Sequence, residues 1–261
     1  MNSLSKIMDP AALGEHVAAQ FGPQAQAYLH SNVHAHGPEF AELRAGLAGH
    51  RNGRLLDLGC GAGHVSFQLA PLMTEVVAYD LSADMLKVVA ATAVERALTQ
   101  ISTLQGVAER LPLETGSMDA VVSRYSAHHW SDLGQALREV RRVLRPGGLA
   151  AFIDVVAPGL PLLDTHLQAI ELLRDTSHVR DYNVAQWLQM VGDAGLQVQR
   201  YQCQRLHLDY ASWVDRMRTP QVMREAIRAL QDAAVDAVRD HFQIDADGSF
   251  STDVLVLWAL R

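Results

Sequence analysis

A chain of 261 residues, 49% hydrophobic and 20% charged, is long enough to bury a substantial core and has the balance of a soluble globular protein. Its formal net charge of −7 disfavours nonspecific attraction to nucleic-acid phosphate, so no nucleic-acid partner is expected. Two cysteines, Cys60 and Cys203, cannot build a disulfide framework or a C-x-x-C metal knuckle; with no leader-like start and no apolar run near ~18 residues, a cytoplasmic protein without an integral membrane segment is expected.

Residues 14–30 place Val17, Ala18, Phe21, Ala25, Tyr28 and Leu29 at roughly helical spacing, interrupted at Gly22-Pro23, which predicts two short helices. A polar segment with His34 and His36 follows, and then a helix over residues 39–47. Two histidines at i and i+2 point to opposite sides of a strand, so no shared metal is expected from them. Residues 1–50 read as a helical lid over a cofactor, with Tyr28 available to close on it.

Residues 54–63, Arg-Leu-Leu-Asp-Leu-Gly-Cys-Gly-Ala-Gly, read as a buried strand running into a tight glycine turn. Gly59, Gly61 and Gly63 permit positive φ and let a ligand approach the main chain. A helix over residues 62–70 follows, closed by Pro71. The dinucleotide fingerprint G-x-G-x-x-G is not met, because His64 stands where its third glycine belongs. Asp80 ends the next apolar run, Val76-Val77-Ala78-Tyr79, at about the ~20-residue distance of a ribose-binding carboxylate.

Ser82 is the expected N-cap of a helix carrying Met85, Leu86, Val89, Ala90 and Ala93 on one face. A strand at 101–105, a loop at 106–113 and a strand at 118–123 come next. Ser131 is expected to cap a helix with Leu133, Ala136, Leu137, Val140 and Leu144 on one face; it stops at Arg145-Pro146-Gly147-Gly148, before a strand at 149–156. Helices follow at 162–174 and, capped by Asn183, around Trp187 to Val191. The polar link between them reads first as a solvated loop, although Arg174, His178 and Arg180 would also suit an acceptor-pocket wall. A strand at 196–208, helices at 211–217 and 221–240, and a strand at 254–260 complete the chain. Alternating strands and helices predict a parallel α/β sheet closed by a late, hairpin-like pair.

Five ordered segments, 55–63, 77–85, 106–113, 118–130 and 137–152, resemble those of class I S-adenosylmethionine-dependent methyltransferases, in the branch similar to ubiquinone- and menaquinone-biosynthesis methyltransferases. The runs Arg124-Tyr125-Ser126-Ala127-His128-His129-Trp130 and Leu173-Arg174-Asp175-Thr176-Ser177-His178-Val179-Arg180 look like a bacterial subgroup of these enzymes. The resemblance implies a Rossmann-like seven-stranded mixed sheet with its last strand antiparallel and helices on both faces. It implies one domain over 1–261, divided into a lid (1–50), a cofactor-binding core (51–156) and acceptor-side helices with closing strands (157–261).

By the same resemblance the cofactor is S-adenosyl-L-methionine, with S-adenosyl-L-homocysteine as product. Gly59, Cys60 and Gly61 would pass its methionine part, Asp57 would support the loop, and Asp80 would accept from both ribose hydroxyls. Leu81 and Met85 would flank adenine, Ala108 and Glu109 would line its edge, and Ser123 would lie near the methionyl carboxylate or amine. Many relatives carry Asp where this chain has Val107, so adenine would be read by backbone groups or by Glu109.

Methyl transfer is an in-line displacement needing mainly alignment of donor and acceptor. Where the acceptor must lose a proton, His128, just past the fourth strand at the carboxyl edge of the sheet, is the candidate catalytic base. Tyr28, His129, Arg174 and His178 are the candidate substrate residues, and no metal is called for. The acceptor is expected to be a small, hydrophobic or quinone- or phenol-like molecule, and a homodimer is compatible with the sequence. Too few cysteines for a radical iron–sulfur cluster, and the absence of P-loop, G-x-S-x-G and Asn/Asp-Pro-Pro-Tyr motifs, remove other classes. A small-molecule methyltransferase, an S-adenosylmethionine-binding protein with a regulatory or assembly role, and a nicotinamide oxidoreductase stay open.

Overall fold

The computed structural model describes residues 10–25, 29 and 37–261. Tyr28, His34 and His36 lie outside these described residues. The β-branched and leucine-rich runs form β1 (Arg54–Leu58), β2 (Glu75–Asp80), β3 (Ile101–Gln105), β4 (Met118–Arg124) and β5 (Leu144–Val156), paired in parallel. The late strands β6 (Gln197–Leu208) and β7 (Phe250–Leu260) pair antiparallel with each other, and β7 pairs antiparallel with β5. The order across the sheet is β3-β2-β1-β4-β5-β7-β6, the expected seven-stranded mixed sheet.

Helices cover both faces: α1 (Pro10–Phe21), α2 (Pro38–Gly46), α3 (His64–Leu69), α4 (Ala83–Glu95), α5 (Leu133–Val143), α6 (Pro161–Arg174), α7 (Val184–Asp193), α8 (Tyr210–Arg216), α9 (Gln221–Asp232) and α10 (Asp236–Phe242). Strand alternation sorts the core. Leu56, Val77 and Val121 turn to one face and pack with Leu137 and Val140 of α5 and Trp187 of α7. Leu55, Val76 and Val122 turn to the other, against Phe40 and Leu43 of α2 and Val65 and Leu69 of α3. A third cluster joins Leu167 and Ile170 of α6 to Trp213, Ile227, Phe242 and Phe250 beyond the carboxyl end of the sheet.

Three local expectations are corrected. Asp132, not Ser131, is the N-cap of α5 and accepts from Gln135 N; the Ser131 hydroxyl is drawn off to Glu109 Oε1 at 2.7 Å. The strand expected from residue 149 begins at Leu144 and passes through Pro146, because the register with β4 jumps from Met118↔Leu144 to Ala120↔Leu149 and leaves the proline outside the ladder. The single helix expected over 221–240 is two, broken before an extended Val235, so that Val238 and Phe242 reach the third cluster.

Candidate functional site

The turn after β1 is shaped by its glycines. Gly59 has φ +70°, and a Cβ there would stand 1.9 Å from Ser126 Oγ, which itself accepts from Trp130 Nε1 at 3.1 Å. Gly61 has φ +50° and nothing within 4 Å of where its Cβ would be, so its main chain faces open space. Asp57, buried at the end of β1, accepts from Ser66 N at 2.9 Å and Ser66 Oγ at 2.6 Å, pinning the start of α3 beneath the turn. Burial raises the Asp57 carboxyl to about 7, partly offset by those two donors. Asp80 crosses the same turn from β2: Oδ2 accepts from Gly61 N at 2.8 Å and Oδ1 from Ser82 N at 2.8 Å. Desolvation raises its pKa as well, and further hydroxyl donors would favour its ionised form.

These groups border a cavity of about 1100 Å³, mouth included, which is ample for a nucleoside joined to an amino acid. Asp57, Gly59, Cys60, Gly61, Asp80, Leu81, Met85, Ala108 and Glu109 all line it. Ser123 does not: it is buried within β4, and strand alternation turns its neighbour Arg124 to the cavity instead. Val107 lines the wall, its carbonyl accepting from Tyr79 Oη at 3.0 Å. Glu109 is committed through Oε1 to Ser131 N, Ser131 Oγ and Asp132 N, at 2.7, 2.7 and 3.1 Å. Helix α1 supplies Gly14, Val17 and Phe21 to the roof. Cys60 is a buried thiol whose pKa desolvation holds well above the ordinary value, which disfavours the thiolate.

A second cavity, about 630 Å³ with its mouth, shares Phe21, Tyr125 and His129 with the first. Val155, Leu206, Leu208 and Trp213 supply its apolar lining; His128, Glu171, Arg174, Asp181 and Arg216 supply its polar lining. His128 sits on the single 3-10 turn Ala127–His129 after β4. Its Nδ1 donates to Asp154 Oδ1 at 2.6 Å, and Asp154 Oδ2 accepts from Ala127 N at 2.7 Å and His128 N at 3.3 Å. Burial alone would lower the imidazole pKa; Asp154, then Asp181 and Glu171, overcome it and bring it to about 9. His129, its ring 4.2 Å from that of His128, donates through Nδ1 to Ser177 O at 3.1 Å and is lowered to about 4 by burial and the His128 charge. Phe21 of α1 meets it edge-on at 4.9 Å.

The link after α6 is buried rather than solvated, because its polar groups are used internally. Asp175 Oδ1 accepts from Ser177 N and Oγ, and Gln168 Oε1 accepts from His178 Nε2 at 3.0 Å and Asp181 N at 3.2 Å. Val179 N and Arg180 N both donate to His128 O, at 2.9 and 3.2 Å. The link therefore clamps the histidine turn. Arg174 reaches the second cavity, held by Glu171 Oε2 at 3.2 Å and by donating to Trp213 O at 3.1 Å. His178 lies behind the wall, its ring 5.9 Å from that of His128; burial and the His128 charge lower it to about 2. Arg180 pairs outward with Asp164 at 2.6 Å.

Sequence reasoning missed Asp154, Asp181, Glu171 and the buried pair Arg124–Glu39, 2.5 Å apart. Only Asp154 carried a signal, as the lone acid in the β5 apolar run Ala150-Ala151-Phe152-Ile153-Asp154-Val155-Val156. Tyr125 was also missed as a wall of both cavities, and its φ of +51° is unusual for a bulky side chain.

Residues 56–152 match the family model described as a methyltransferase domain. YafE of Escherichia coli K12 is 48% identical over 76% of this chain and 96% of its own. YcgJ of Bacillus subtilis, a methyltransferase by name, is 34% identical over 86% of this chain and 88% of its own; its crystal structure superposes with a TM-score of 0.82 over 86% of this chain and 99% of that one, at 32% identity. The demethylmenaquinone methyltransferase of Lactococcus lactis is 38% identical over 45% of this chain and 47% of its own. With the glycine turn, Asp80 and the β5-β7-β6 sheet edge in place, the chain belongs to the methyltransferase family, whose fold takes S-adenosylmethionine as its cofactor.

Proposed function

We propose that this protein transfers a methyl group to a small-molecule acceptor held in the second cavity, with His128 as the group that handles the acceptor's proton. The observation that carries this reading is His128, its Nδ1 2.6 Å from the buried Asp154, on the wall of a cavity that shares three wall residues with the first. S-adenosylmethionine, when bound, supplies an electrophilic methyl on a sulfonium. Gly59, Cys60 and Gly61 would hold its methionine part, and Asp80 would offer its carboxylate to the ribose. Leu81 and Met85 would flank adenine, with Ala108 and the Val107 main chain at its edge.

In the acceptor cavity Asp154 fixes the tautomer and orientation of His128, so Nε2 is the atom free to exchange a proton with the acceptor. In its neutral form Nε2 would take the proton of an acceptor hydroxyl, leaving that oxygen as the nucleophile. His129, which burial and the His128 charge keep neutral, stands with Phe21 and Tyr125 where the two cavities meet. Helix α1, with Val17 and Phe21 over the site, acts as the lid and 157–261 as the acceptor side of one domain. The apolar walls Leu206, Leu208 and Trp213 suit a phenol- or quinol-like body, and one relative is named for demethylmenaquinone. A cytoplasmic enzyme working on dissolved metabolites fits a chain in which no described helix is long and apolar enough to cross a membrane.

Incubation with methyl-labelled S-adenosylmethionine and a metabolite extract tests this reading. A labelled small molecule is expected, and its yield should collapse in His128→Ala. Binding of the cofactor with no labelled product would assign the chain to a regulatory or assembly role instead.

A further inference from the structure

The glycine turn after β1 has spent most of the main-chain donors by which such a turn holds an anion. Gly59 N and Cys60 N both donate to Tyr79 O, at 2.8 and 3.0 Å, while Gly61 N donates to Asp80 Oδ2 and Gly63 N to Cys60 O. A carboxylate lying along the turn therefore needs a side-chain donor, and Ser123, expected in that place, is buried within β4 and off the cavity. Ser126 stands where that donor is needed. It is partly exposed, lines the first cavity with Gly59 and Trp130, and its Oγ lies over Gly59, where a Cβ would come within 1.9 Å. The absent Cβ of Gly59 is what makes room for the hydroxyl.

Trp130 decides how that hydroxyl works. Its indole Nε1–H can only donate, and it donates to Ser126 Oγ at 3.1 Å, so the oxygen is the acceptor there and its own proton points elsewhere. Among the described residues none accepts that proton. The backbone around Ser126 is fixed: Tyr125 N donates to Ile153 O at 2.8 Å, Ala127 N to Asp154 Oδ2 at 2.7 Å and His129 N to Ser126 O at 3.0 Å. Of the two charged groups at the amino-acid end of the cofactor, the ammonium only donates and the carboxylate only accepts, so the hydroxyl proton selects the carboxylate. Topology agrees with this choice. Asp80 ends β2 and Ser126 follows β4, on opposite sides of β1 in the sheet, so a cofactor with adenine toward Ala108 after β3 and ribose at Asp80 would bring its amino acid to the β4 side. On that side Arg124 lines the cavity, its guanidinium 4.7 Å over the Tyr125 ring, whereas its counter-ion Glu39 is not part of the lining.

We propose that Ser126 recognises the carboxylate at the amino-acid end of the cofactor, its hydroxyl donating to that group while Trp130 holds its oxygen. This makes Ser126 a specificity-determining residue, one that separates the cofactor from nucleosides carrying the same adenine, ribose and sulfur without a carboxylate. The proposal rests on the placement of the ribose at Asp80 given above.

The test uses the full chain and titration calorimetry with two probes, S-adenosylhomocysteine and its decarboxylated analogue, in which an aminopropyl chain on the same sulfur keeps the amine. The unaltered protein should bind S-adenosylhomocysteine about tenfold or more tightly than the analogue, the scale of one hydrogen bond to a charged group. Ser126→Ala should weaken S-adenosylhomocysteine by about tenfold and the analogue by less than about threefold. Ser126→Cys keeps a group of similar size beside Trp130 but donates weakly, so it should lie between the two and reads the same contrast if the alanine variant folds poorly. Equal affinity of the unaltered protein for both probes overturns the proposal without any variant, as does a loss of the same size on both probes in Ser126→Ala, which a purely structural role would give. Asp80→Ala should weaken both probes alike. If it weakens neither, the placement of the ribose falls and takes this proposal with it; if it weakens both while the two Ser126 variants weaken neither, this proposal alone falls.

Discussion

His128 Nδ1 and Asp154 Oδ1 lie 2.6 Å apart, and the second oxygen of Asp154 accepts from the main chain of the turn that carries His128. One carboxylate thus fixes both the ring and the backbone beneath it. With Nδ1 committed to Asp154, Nε2 is the ring nitrogen left for the proton transfer proposed at the second cavity, and the ring is held in place for it.

If His128 takes the acceptor's proton, His128→Ala should lower kcat by about 10²–10⁴-fold with little change in cofactor affinity. The acid limb of kcat/KM for the acceptor should titrate toward about 9, the value Asp154 sets for His128, and Asp154→Asn should move that limb back toward 6.5. A limb that stays in place in Asp154→Asn would show that another group controls the proton.

The same pair makes a stability prediction. The folded pKa of His128, about 9, lies above the ordinary 6.5, so the folded state binds the proton more tightly. Its contribution is fully present below about pH 6.5 and is lost as pH rises through about 9, an order-of-magnitude change of roughly 3 kcal/mol. Denaturant titrations across this range should show the decline in the native protein and a flatter profile in His128→Gln.

His129 behaves in the opposite sense. Burial and the His128 charge hold its folded pKa near 4, below 6.5, so the unfolded chain takes up its proton first and stability falls as pH drops from about 6.5 toward 4. His129→Gln should flatten this acid limb in thermal melts. An unchanged slope would mean that other groups govern acid unfolding.

The sheet, the glycine turn and the grouping of their residues around the first cavity were legible because they depend on local pattern. Leu55 and Leu56 face opposite sides of β1 as alternation requires, and Gly59, Gly61 and Asp80 form a motif whose spacing reflects one strand-turn-helix unit and the next strand. Ser123 itself lies off the cavity wall, because a one-residue step along β4 exchanges it for Arg124. The second cavity was harder to read, since its lining comes from residues distant in sequence. His128 meets Asp154 across β4 and β5, while Asp181 arrives on a loop whose polar composition reads as solvent-exposed until Gln168, Asp175 and Ser177 are seen to satisfy one another. Ser131 lost its capping role to Asp132 for a similar reason: Glu109, 22 positions earlier, claims its hydroxyl.

Cofactor binding should be most sensitive at the glycine turn. Gly59→Ala places a methyl group 1.9 Å from Ser126 Oγ in a backbone that already requires positive φ, so binding of S-adenosylhomocysteine should be lost together with some stability. Asp80→Ala removes the acceptor for Gly61 N and Ser82 N and, on the proposed reading, the carboxylate that meets the ribose, and should weaken S-adenosylhomocysteine by about tenfold or more in calorimetry. Gly61→Ala separates ligand approach from packing. Its Cβ would meet no protein atom within 4 Å, so any loss of affinity beyond the modest cost of φ +50° should come from the ligand itself, with the melting temperature affected less than in Gly59→Ala. Equal melting losses in the two glycine variants, with cofactor affinity intact in Gly61→Ala, would mean that the cofactor does not run along this turn.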